Sequence, residues 1–207
     1  VIFAREGAKL VLADVNEEGL DETQGRVKGE GGDVVARVTD VAVEEEVKEL
    51  IQLALKRYAQ IDILCNNAGI SGGLSKLKEQ DADEWRRVFE VNVMGAVYGT
   101  KYVAPHMEER KYGAIVNTAS VAGVRSGAGG NAYSASKAAI INLTQTAACD
   151  LGGYNVRVNA VCPGLIETGM TKPVFEYARE KGKEEKLGYR CELRRSGEPE
   201  EVARGMS

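Results

Sequence analysis

Residues 155–162 read NVRVNAVC, and they follow a helical segment that we predict over residues 132–151. Valine is β-branched and favours extended backbone, and it recurs in this stretch at positions 156, 158 and 161. Such a run is typical of a strand that is covered on both faces, as strands are in the interior of a parallel sheet. This stretch therefore predicts an α/β fold.

The same alternation of apolar strands and amphipathic helices runs through the chain. Residues 43–58 show it clearly, since Val47, Ile51 and Ala54 recur there at helical spacing. Strands that alternate with helices predict a doubly wound parallel sheet of the Rossmann type, in one domain that spans residues 1–207. The predicted strands are 9–14, 33–39, 61–65, 113–118 and 155–162, and the predicted helices are 16–30, 43–58, 81–110 and 132–151.

Composition excludes several classes of protein. The 207 residues are 43% hydrophobic and 28% charged, which is ordinary for a folded domain. The net charge is -4 and the basic residues are dispersed, so nucleic acid is not expected as a partner. The longest apolar stretch without charge, residues 91–100, is about half the ~20 residues of a membrane-spanning helix, so we expect no membrane segment.

Cysteine and histidine usage narrows the chemistry further. The chain has four cysteines without CxxC spacing, and three of them lie in apolar runs, which favours a reducing, cytoplasmic compartment. His106 is the only histidine, so a zinc site or a triad with a histidine base would depend on that residue alone. The sequence therefore predicts no metal site.

Polar or small residues follow each predicted strand. In parallel sheets ligands bind outside the carboxyl ends of the strands, and those ends lie along one edge of the sheet. We therefore expect the following positions to line one shared crevice: Asp14, Asp40-Val41, Asn66-Asn67-Ala68-Gly69, Ser120 and Pro163-Gly164.

Asp14 ends the first predicted strand. A carboxylate at this position can accept hydrogen bonds from the hydroxyl groups of an adenosine ribose, and it would repel a 2'-phosphate. The residue therefore favours NAD over NADP as the cofactor. The alternative, from the local sequence alone, is an ordinary cap for the helix that begins near Asn16.

Tyr133 and Lys137 are four residues apart in the predicted helix over residues 132–151, so both lie on one helix face. A phenol has an ordinary pKa near ~10, and a nearby cation stabilises its phenolate and moves that pKa toward neutrality. The pair can therefore act in acid-base chemistry. A chance pair on a solvated helix is the alternative. Ser120, thirteen residues before Tyr133 at a strand end, favours the chemical interpretation.

These residues occur in an order and at a spacing that point to one family, in the set Asp14, Asn66-Asn67-Ala68-Gly69, Asn92, Ser120, Tyr133, Lys137 and Pro163-Gly164. Over essentially its whole length the chain resembles the short-chain dehydrogenase/reductase family. The resemblance implies that Tyr133 is the general acid-base and that Lys137 lowers its pKa. It also implies that Ser120 hydrogen-bonds the substrate oxygen and that Asn92 holds a water of the proton relay. For Asn92 the alternative is a polar side chain that faces solvent.

The resemblance also implies cofactor-binding positions. Asp14 would bind the adenosine ribose, and Asp40 and Val41 would flank the adenine. Lys137 would hold the nicotinamide ribose, and Tyr133 would share that part of the site. The floor beneath the adenosine side would be Asn66, Ala68 and Gly69, and the border of the nicotinamide would be Pro163, Gly164, Ile166 and Thr168.

Two parts of the family pattern are absent from these 207 residues: the first strand with its glycine-rich phosphate loop, and the last strand. We expect the absent first strand to lie between the strands that end at Asp14 and Cys65. We also expect the chain to be a piece of a longer dehydrogenase that by itself binds NAD poorly or not at all. For the charged residues 169–195 the resemblance implies a lid over the substrate, with a solvated surface helix as the alternative.

The sequence thus predicts an oxidoreductase that transfers a hydride between NAD(H) and a secondary alcohol or ketone. Reduction of 3-oxoacyl thioesters is the nearest alternative chemistry, and Asp14 disfavours it because the resemblance associates that reaction with NADPH. A non-catalytic dinucleotide-binding module and an inactive fragment are alternatives of other classes. The family further implies a homo-oligomer, a tetramer or a dimer, paired through the helices over residues 81–110 and 132–151.

Overall fold

The computed structural model describes residues 1–189, 191 and 193–206 of the chain. Strands and helices alternate through this part. The strands are β1 (Leu10–Asp14), β2 (Val34–Val38), β3 (Ile63–Asn66), β4 (Gly113–Thr118) and β5 (Val156–Val161). The helices are α1 (Ile2–Arg5), α2 (Glu17–Gly29), α3 (Glu44–Tyr58), α4 (Ala82–Phe89), α5 (Gly95–Arg110), α6 (Asn131–Gly152), α7 (Lys172–Glu180) and α8 (Pro199–Met206), and a π-helical turn (Glu90–Met94) joins α4 to α5.

The predicted alternation is confirmed, and the boundaries agree closely. β4 has the predicted bounds, and α6 is one residue longer at each end than predicted. β3 begins at Ile63 rather than at residue 61. Side chains of α5 hold the backbone of Ile61: its N–H donates to His106 Nε2 at 3.2 Å, and its carbonyl accepts from Arg110 Nη1 at 3.1 Å. These bonds replace strand pairing at that position.

The helix predicted over residues 81–110 is interrupted. The predicted start is confirmed, because Asp81 caps α4 by accepting a hydrogen bond from the N–H of Asp83. After α4, however, the backbone widens into the π turn before α5 begins. Such turns replace i→i+4 hydrogen bonds by i→i+5 bonds and are often found at functional sites. The turn contains Asn92, one of the candidate catalytic residues.

All strand pairs are parallel, and they form two groups, β1-β2 and β3-β4-β5. A sheet wound with helices between its strands is therefore confirmed as the architecture. Within the described residues, β1 pairs with β2 alone and β3 with β4 alone. The strand that we expect between the strands ending at Asp14 and Cys65 stays a prediction.

The hydrophobic core lies where α3, α5 and α6 pack against β4 and β5. Ile115 of β4 and Val103 and Met107 of α5 are completely buried in it. Burial of apolar side chains stabilises the fold by ~25 cal/mol per Å², so this cluster holds α5 and α6 firmly against the sheet. None of the helices in the described part of the chain is long and apolar enough to cross a membrane.

Candidate active site

The candidate catalytic residues meet where β4 ends and α6 begins. Ser120 follows β4, is 7% exposed, and accepts a hydrogen bond from the N–H of Ala122 at 3.1 Å, which starts a short 3-10 turn. Tyr133 lies in the first turns of α6 and makes a side-chain hydrogen bond with Ser120. Lys137 Nζ lies 5.6 Å from the centre of the Tyr133 ring. The structure therefore brings together the three residues that the sequence proposed for acid-base chemistry.

Lys137 is a buried cation with a defined partner. Its side chain is 3% exposed, and Nζ donates a hydrogen bond to the carbonyl oxygen of Thr118 at 2.7 Å. Burial penalises the charged form and lowers the pKa of Lys137 from its ordinary 10.5 to about 8. At neutral pH the ammonium group is still the main form.

The acid-base behaviour of Tyr133 has two opposed causes in this structure. Burial raises the pKa of Tyr133, and its hydrogen bond with Ser120 lowers that pKa by a smaller amount. The sequence assigned the lowering effect to Lys137. Its ammonium group donates to the carbonyl of Thr118 and lies 5.6 Å from the centre of the Tyr133 ring, so this role of Lys137 stays a prediction.

Asn92 is 2% exposed, so the solvent-facing alternative is wrong. Its Oδ1 accepts from the N–H of Ile70 at 2.8 Å, and its Nδ2 donates to the carbonyl of Ile70 at 3.0 Å and to Ser136 Oγ at 2.9 Å. Ser136 Oγ in turn donates to the carbonyl of Tyr133 at 2.7 Å. Asn92 thus connects the π turn to the segment after β3 and to the turn of α6 that contains Tyr133 and Ser136.

Gly69 lies at the meeting point of these groups. A Cβ at this position would lie 3.3 Å from both Asn92 Oδ1 and Lys137 Nζ, closer than most side chains allow. The absence of a side chain therefore permits the backbone after β3 to approach both functional residues.

A cavity of about 260 Å³ opens at the carboxyl ends of β1, β2 and β3. We call it the strand-end cavity. Another cavity, of about 330 Å³, lies beside the segment that follows β5. The end of β4 and the segment after it adjoin both cavities. Thr118 lines the strand-end cavity. The N–H of Val121 donates at 3.0 Å to the carbonyl of Pro163, which lines the cavity beside the segment after β5.

The structure thus divides the predicted single crevice into two cavities. Thr168 is exposed, and its N–H donates to Thr171 Oγ1 at 2.9 Å. The strand-end cavity contains Asp14, Asp40, Val41, Asn66, Asn67, Ala68 and Gly69, and the second cavity contains Pro163, Gly164 and Ile166.

The two acidic candidates hold their loops in place as well as lining the cavity. Asp14 Oδ1 accepts from the N–H of Asn16 at 3.0 Å, and Asn16 itself caps α2. Asp40 Oδ1 accepts from the N–H of Ala42 at 2.9 Å, and this bond is the main cause that lowers the pKa of Asp40, against the opposing effect of burial. Both carboxylates are therefore fixed in orientation.

Asn66 contributes mainly to an interior network. Its Nδ2 donates to Asn117 Oδ1 at 2.8 Å, and Asn117 Nδ2 donates to Thr144 Oγ1 at 2.9 Å. The chain of bonds crosses β3, β4 and α6. From the sequence, Asn66 was expected only in the floor beneath the adenosine. The signal for this network was Asn117, a polar residue inside the apolar strand 113–118.

Replacing Gly99 of α5 by alanine should lower the free energy of unfolding by about 2 kcal/mol. A Cβ there collides with Asn66 Oδ1, and displacing this half-buried amide, which is hydrogen-bonded to Asn117, costs more than the ~1 kcal/mol that alanine gains in a helix. Urea unfolding measures the change. Gly25→Ala in α2 is the matched control, since its Cβ would have no neighbour within 4 Å and should stabilise the chain. A Gly99→Ala protein as stable as the parent would contradict the role of the network.

Comparison of this chain with known proteins shows the family to which it belongs. The family described as short chain dehydrogenase matches residues 2–179, and the chain belongs to that family. It is 40% identical over 205 residues to the 3-oxoacyl-(acyl-carrier-protein) reductase FabG of Thermotoga maritima, a match that covers 98% of this chain and 80% of that protein. It is 41% identical over 207 residues to the meso-2,3-butanediol dehydrogenase of Serratia marcescens, covering 99% and 78%.

A solved structure agrees with the fold. The crystal structure of levodione reductase superposes with a TM-score of 0.92 at 34% identity, over 100% of this chain and 82% of that one. The protein is accordingly an oxidoreductase of the short-chain type. Three residues near the site were not identified from the sequence: Thr118, Ser136 and Arg87.

Proposed function

We propose that this protein transfers a hydride between NAD(H) and a secondary alcohol or ketone. The observation that carries the proposal is that Tyr133 shares a side-chain hydrogen bond with Ser120 and lies beside Lys137, whose Nζ is 5.6 Å from the centre of the ring and adjoins Gly69 of the strand-end cavity. A phenol and a hydroxyl that share a hydrogen bond beside a buried ammonium group form a site that can exchange a proton with a carbonyl or alcohol oxygen.

The residues present fit a dinucleotide. The strand-end cavity lies at the carboxyl ends of parallel strands, where such ligands bind, and Gly69 in its lining lets the backbone approach Lys137 Nζ, the group proposed for the nicotinamide ribose. When bound, the dinucleotide supplies or accepts the hydride. We propose Asp14 for the adenosine ribose, Asp40 and Val41 for the adenine, Asn66, Ala68 and Gly69 for the floor, and Pro163, Gly164, Ile166 and Thr168 for the nicotinamide side.

In reduction, Tyr133 gives its proton to the carbonyl oxygen, and in oxidation it takes one from the alcohol. Ser120 donates a hydrogen bond to the same substrate oxygen and stabilises the charge that develops there. Lys137, held by the carbonyl of Thr118, supplies positive charge that favours the phenolate and contacts the nicotinamide ribose. Asn92 holds the backbone of Ile70 through two hydrogen bonds, and we propose that it also positions a water of the proton relay.

The assay that tests the function uses protein expressed from its complete reading frame. NADH and NADPH oxidation are followed with a panel of aliphatic and cyclic ketones and with acetoacetyl-CoA as a 3-oxoacyl thioester. Turnover with ketones and NADH supports the proposal, and faster turnover of the thioester with NADPH would assign the alternative chemistry. A folded protein that binds NADH but turns over no carbonyl would instead be a non-catalytic binding module.

Binding by the 207 residues alone is a separate question. Titration of this chain with NADH, followed by nicotinamide fluorescence, is compared with the same titration of protein from the complete reading frame. We expect weak or undetectable binding by the 207 residues, because the glycine-rich phosphate loop of the family pattern is not among them. Micromolar binding would contradict this expectation.

Asp14→Asn should shift the cofactor preference toward NADPH. The substitution keeps the size of the side chain and removes the charge that repels a 2'-phosphate, so the ratio of kcat/KM for NADH to that for NADPH should fall about tenfold. Asp21→Asn on the exposed face of α2 removes the same charge away from the cavity and should leave the ratio unchanged. An unaltered ratio in Asp14→Asn would argue against a ribose contact at this residue.

We further propose that residues 169–195 cover the substrate, although positions 190 and 192 of that segment lie outside the described residues. α7 is anchored by the buried Phe175 and Ala178, while Val174 and Tyr177 are exposed. Near the end of the segment, a Cβ on Gly164 would lie 2.7 Å from Cys191 Sγ. The segment therefore reaches the proposed nicotinamide border, as a lid would.

Two wider expectations from the sequence also stay proposals. We propose a homo-oligomer, a dimer or a tetramer, that pairs α5 and α6 with their copies, which analytical ultracentrifugation would test. The cysteines of the described residues are Cys65, Cys149, Cys162 and Cys191, and all are free thiols. Free thiols support the proposed reducing, cytoplasmic compartment.

A further inference from the structure

We infer that Arg87 of α4 is a positioning residue that sets recognition of the adenine base, because it holds the carboxylate of Asp40 in the strand-end cavity. The inference rests on the proposed binding of a dinucleotide. It applies to NAD and NADP alike, since both carry adenine.

Arg87 is distant from Asp40 in the chain but adjacent to it in the fold. Arg87 Nη2 donates to Asp40 Oδ2 at 3.1 Å, across 47 residues of sequence, and both side chains line the strand-end cavity. The other oxygen, Asp40 Oδ1, accepts from the N–H of Ala42. One bond to each oxygen fixes the plane of the carboxylate.

The neighbouring residue is fixed as well. A Cβ on Gly95 would lie 2.8 Å from Val41 Cγ2, so the side chain of Val41 packs directly against the backbone of α5. Arg87 from α4 and Gly95 from α5 therefore hold the short segment Asp40-Val41 from two directions. A segment held in this way presents one defined surface to a ligand.

A carboxylate oriented by two donors still has lone pairs free, because its oxygens offer about four acceptor sites. The exocyclic amino group of adenine is a donor that can use one of them. Hypoxanthine carries a carbonyl oxygen at the same position. That oxygen and the carboxylate are both hydrogen-bond acceptors, so they cannot bond to each other. An oriented Asp40 should therefore distinguish adenine from hypoxanthine.

Charge supports the same role. Among the residues that the structure describes around this cavity, the charged ones are Asp14, Asp40 and Arg87. Without Arg87, two carboxylates would face a ligand that is itself an anion. Arg87 offsets one of these charges and leaves Asp40 able to accept hydrogen bonds. Its side chain is 51% exposed, so its substitution should leave α4 folded.

The experiment compares NADH with its hypoxanthine analogue, deamino-NADH, by fluorescence titration of protein from the complete reading frame. The parent protein should bind NADH about tenfold more tightly than the analogue. Arg87→Ala should weaken NADH binding and reduce the preference to about twofold or less. Arg87→Lys should restore part of it, since one donor to Asp40 returns. In steady-state assays Arg87→Ala should raise KM for NADH and leave kcat unchanged.

Arg86 provides a matched control on the same helix. It forms an ion pair with Asp83, one turn earlier in α4, and does not belong to the residues that line the strand-end cavity. Arg86→Ala should leave both affinities unchanged, and Asp40→Ala should lose the preference as Arg87→Ala does.

The outcomes separate this inference from the proposed function. If Asp40→Ala loses the preference and Arg87→Ala keeps it, the role of Arg87 is overturned while the dinucleotide site stands. If the parent protein binds NADH without any preference over deamino-NADH, recognition through Asp40 is overturned as well. If the parent protein binds neither NADH nor NADPH, the proposed function and the inference fail together.

Discussion

Tyr133→Phe is expected to lower kcat about a thousandfold and to leave the affinity for NADH close to that of the parent protein. The substitution keeps the buried ring and removes only the hydroxyl that shares a hydrogen bond with Ser120. General acid-base catalysis contributes about 10²- to 10⁴-fold to enzymatic rates, and phenylalanine has no proton to exchange at this position. Steady-state assays with the best ketone and a fluorescence titration with NADH measure the two quantities.

Tyr154→Phe is the matched control for this change. Tyr154 is 44% exposed in the turn between α6 and β5, at the opposite end of the sheet from Ser120. Its loss of a hydroxyl should leave kcat unaltered. Should Tyr133→Phe keep more than a tenth of the parent kcat, Tyr133 would not be the acid-base group, and the site would need another proton donor.

Lys137→Met is expected to abolish most of the activity and at the same time to stabilise the fold. The difference between the ordinary pKa of 10.5 and about 8 in the folded protein corresponds to roughly 3 kcal/mol that burial of the charge costs at neutral pH. Methionine removes that cost and also loses the hydrogen bond to the carbonyl of Thr118, about 1 kcal/mol. A net gain of about 2 kcal/mol in the free energy of unfolding should result at pH 7.

The pH dependence identifies the cause of this gain. Because the pKa of Lys137 is lower in the folded chain, the unfolded chain holds more protons between pH 8 and pH 10.5, and the stability of the parent protein rises with pH in that window. Below pH 8 the full cost is present. Urea unfolding of both proteins at pH 7 and at pH 10.5 should therefore show the advantage of Lys137→Met at pH 7 and its loss at pH 10.5.

Lys101→Met tests whether removing any lysine has this effect. Lys101 is 58% exposed on α5, where it pairs with Glu44, so its removal should bring no gain in stability and no loss of turnover. If Lys137→Met were less stable than the parent protein at pH 7, the charge of Lys137 would be compensated in the fold. If it kept near-normal kcat, the ammonium group would have no part in catalysis.

The alternation of strands and helices was predictable from the sequence, and the sequence also proposes which residues form the site. These features follow from local chemistry: β-branched runs favour strands, apolar residues at 3.6-residue spacing favour helices, and parallel strands place their carboxyl ends together. Ser120 could be proposed because it follows a strand, and Tyr133 because it lies four residues before Lys137 on one helix face. The fold was therefore predictable, and the catalytic roles of these residues stay predictions.

The surroundings of those residues depend on contacts between segments that are distant in the sequence. The carbonyl of Thr118 accepts from Lys137 across 19 residues, Asn92 bonds the backbone of Ile70 across 22, and Arg87 reaches Asp40 across 47. The π turn that contains Asn92 and the division of the crevice into two cavities belong to the same group. Each of these features depends on a contact between segments that are distant in the sequence. Such contacts could not be predicted, because hydrophobic periodicity shows which face of a helix or strand is buried but not which polar atoms that face contacts.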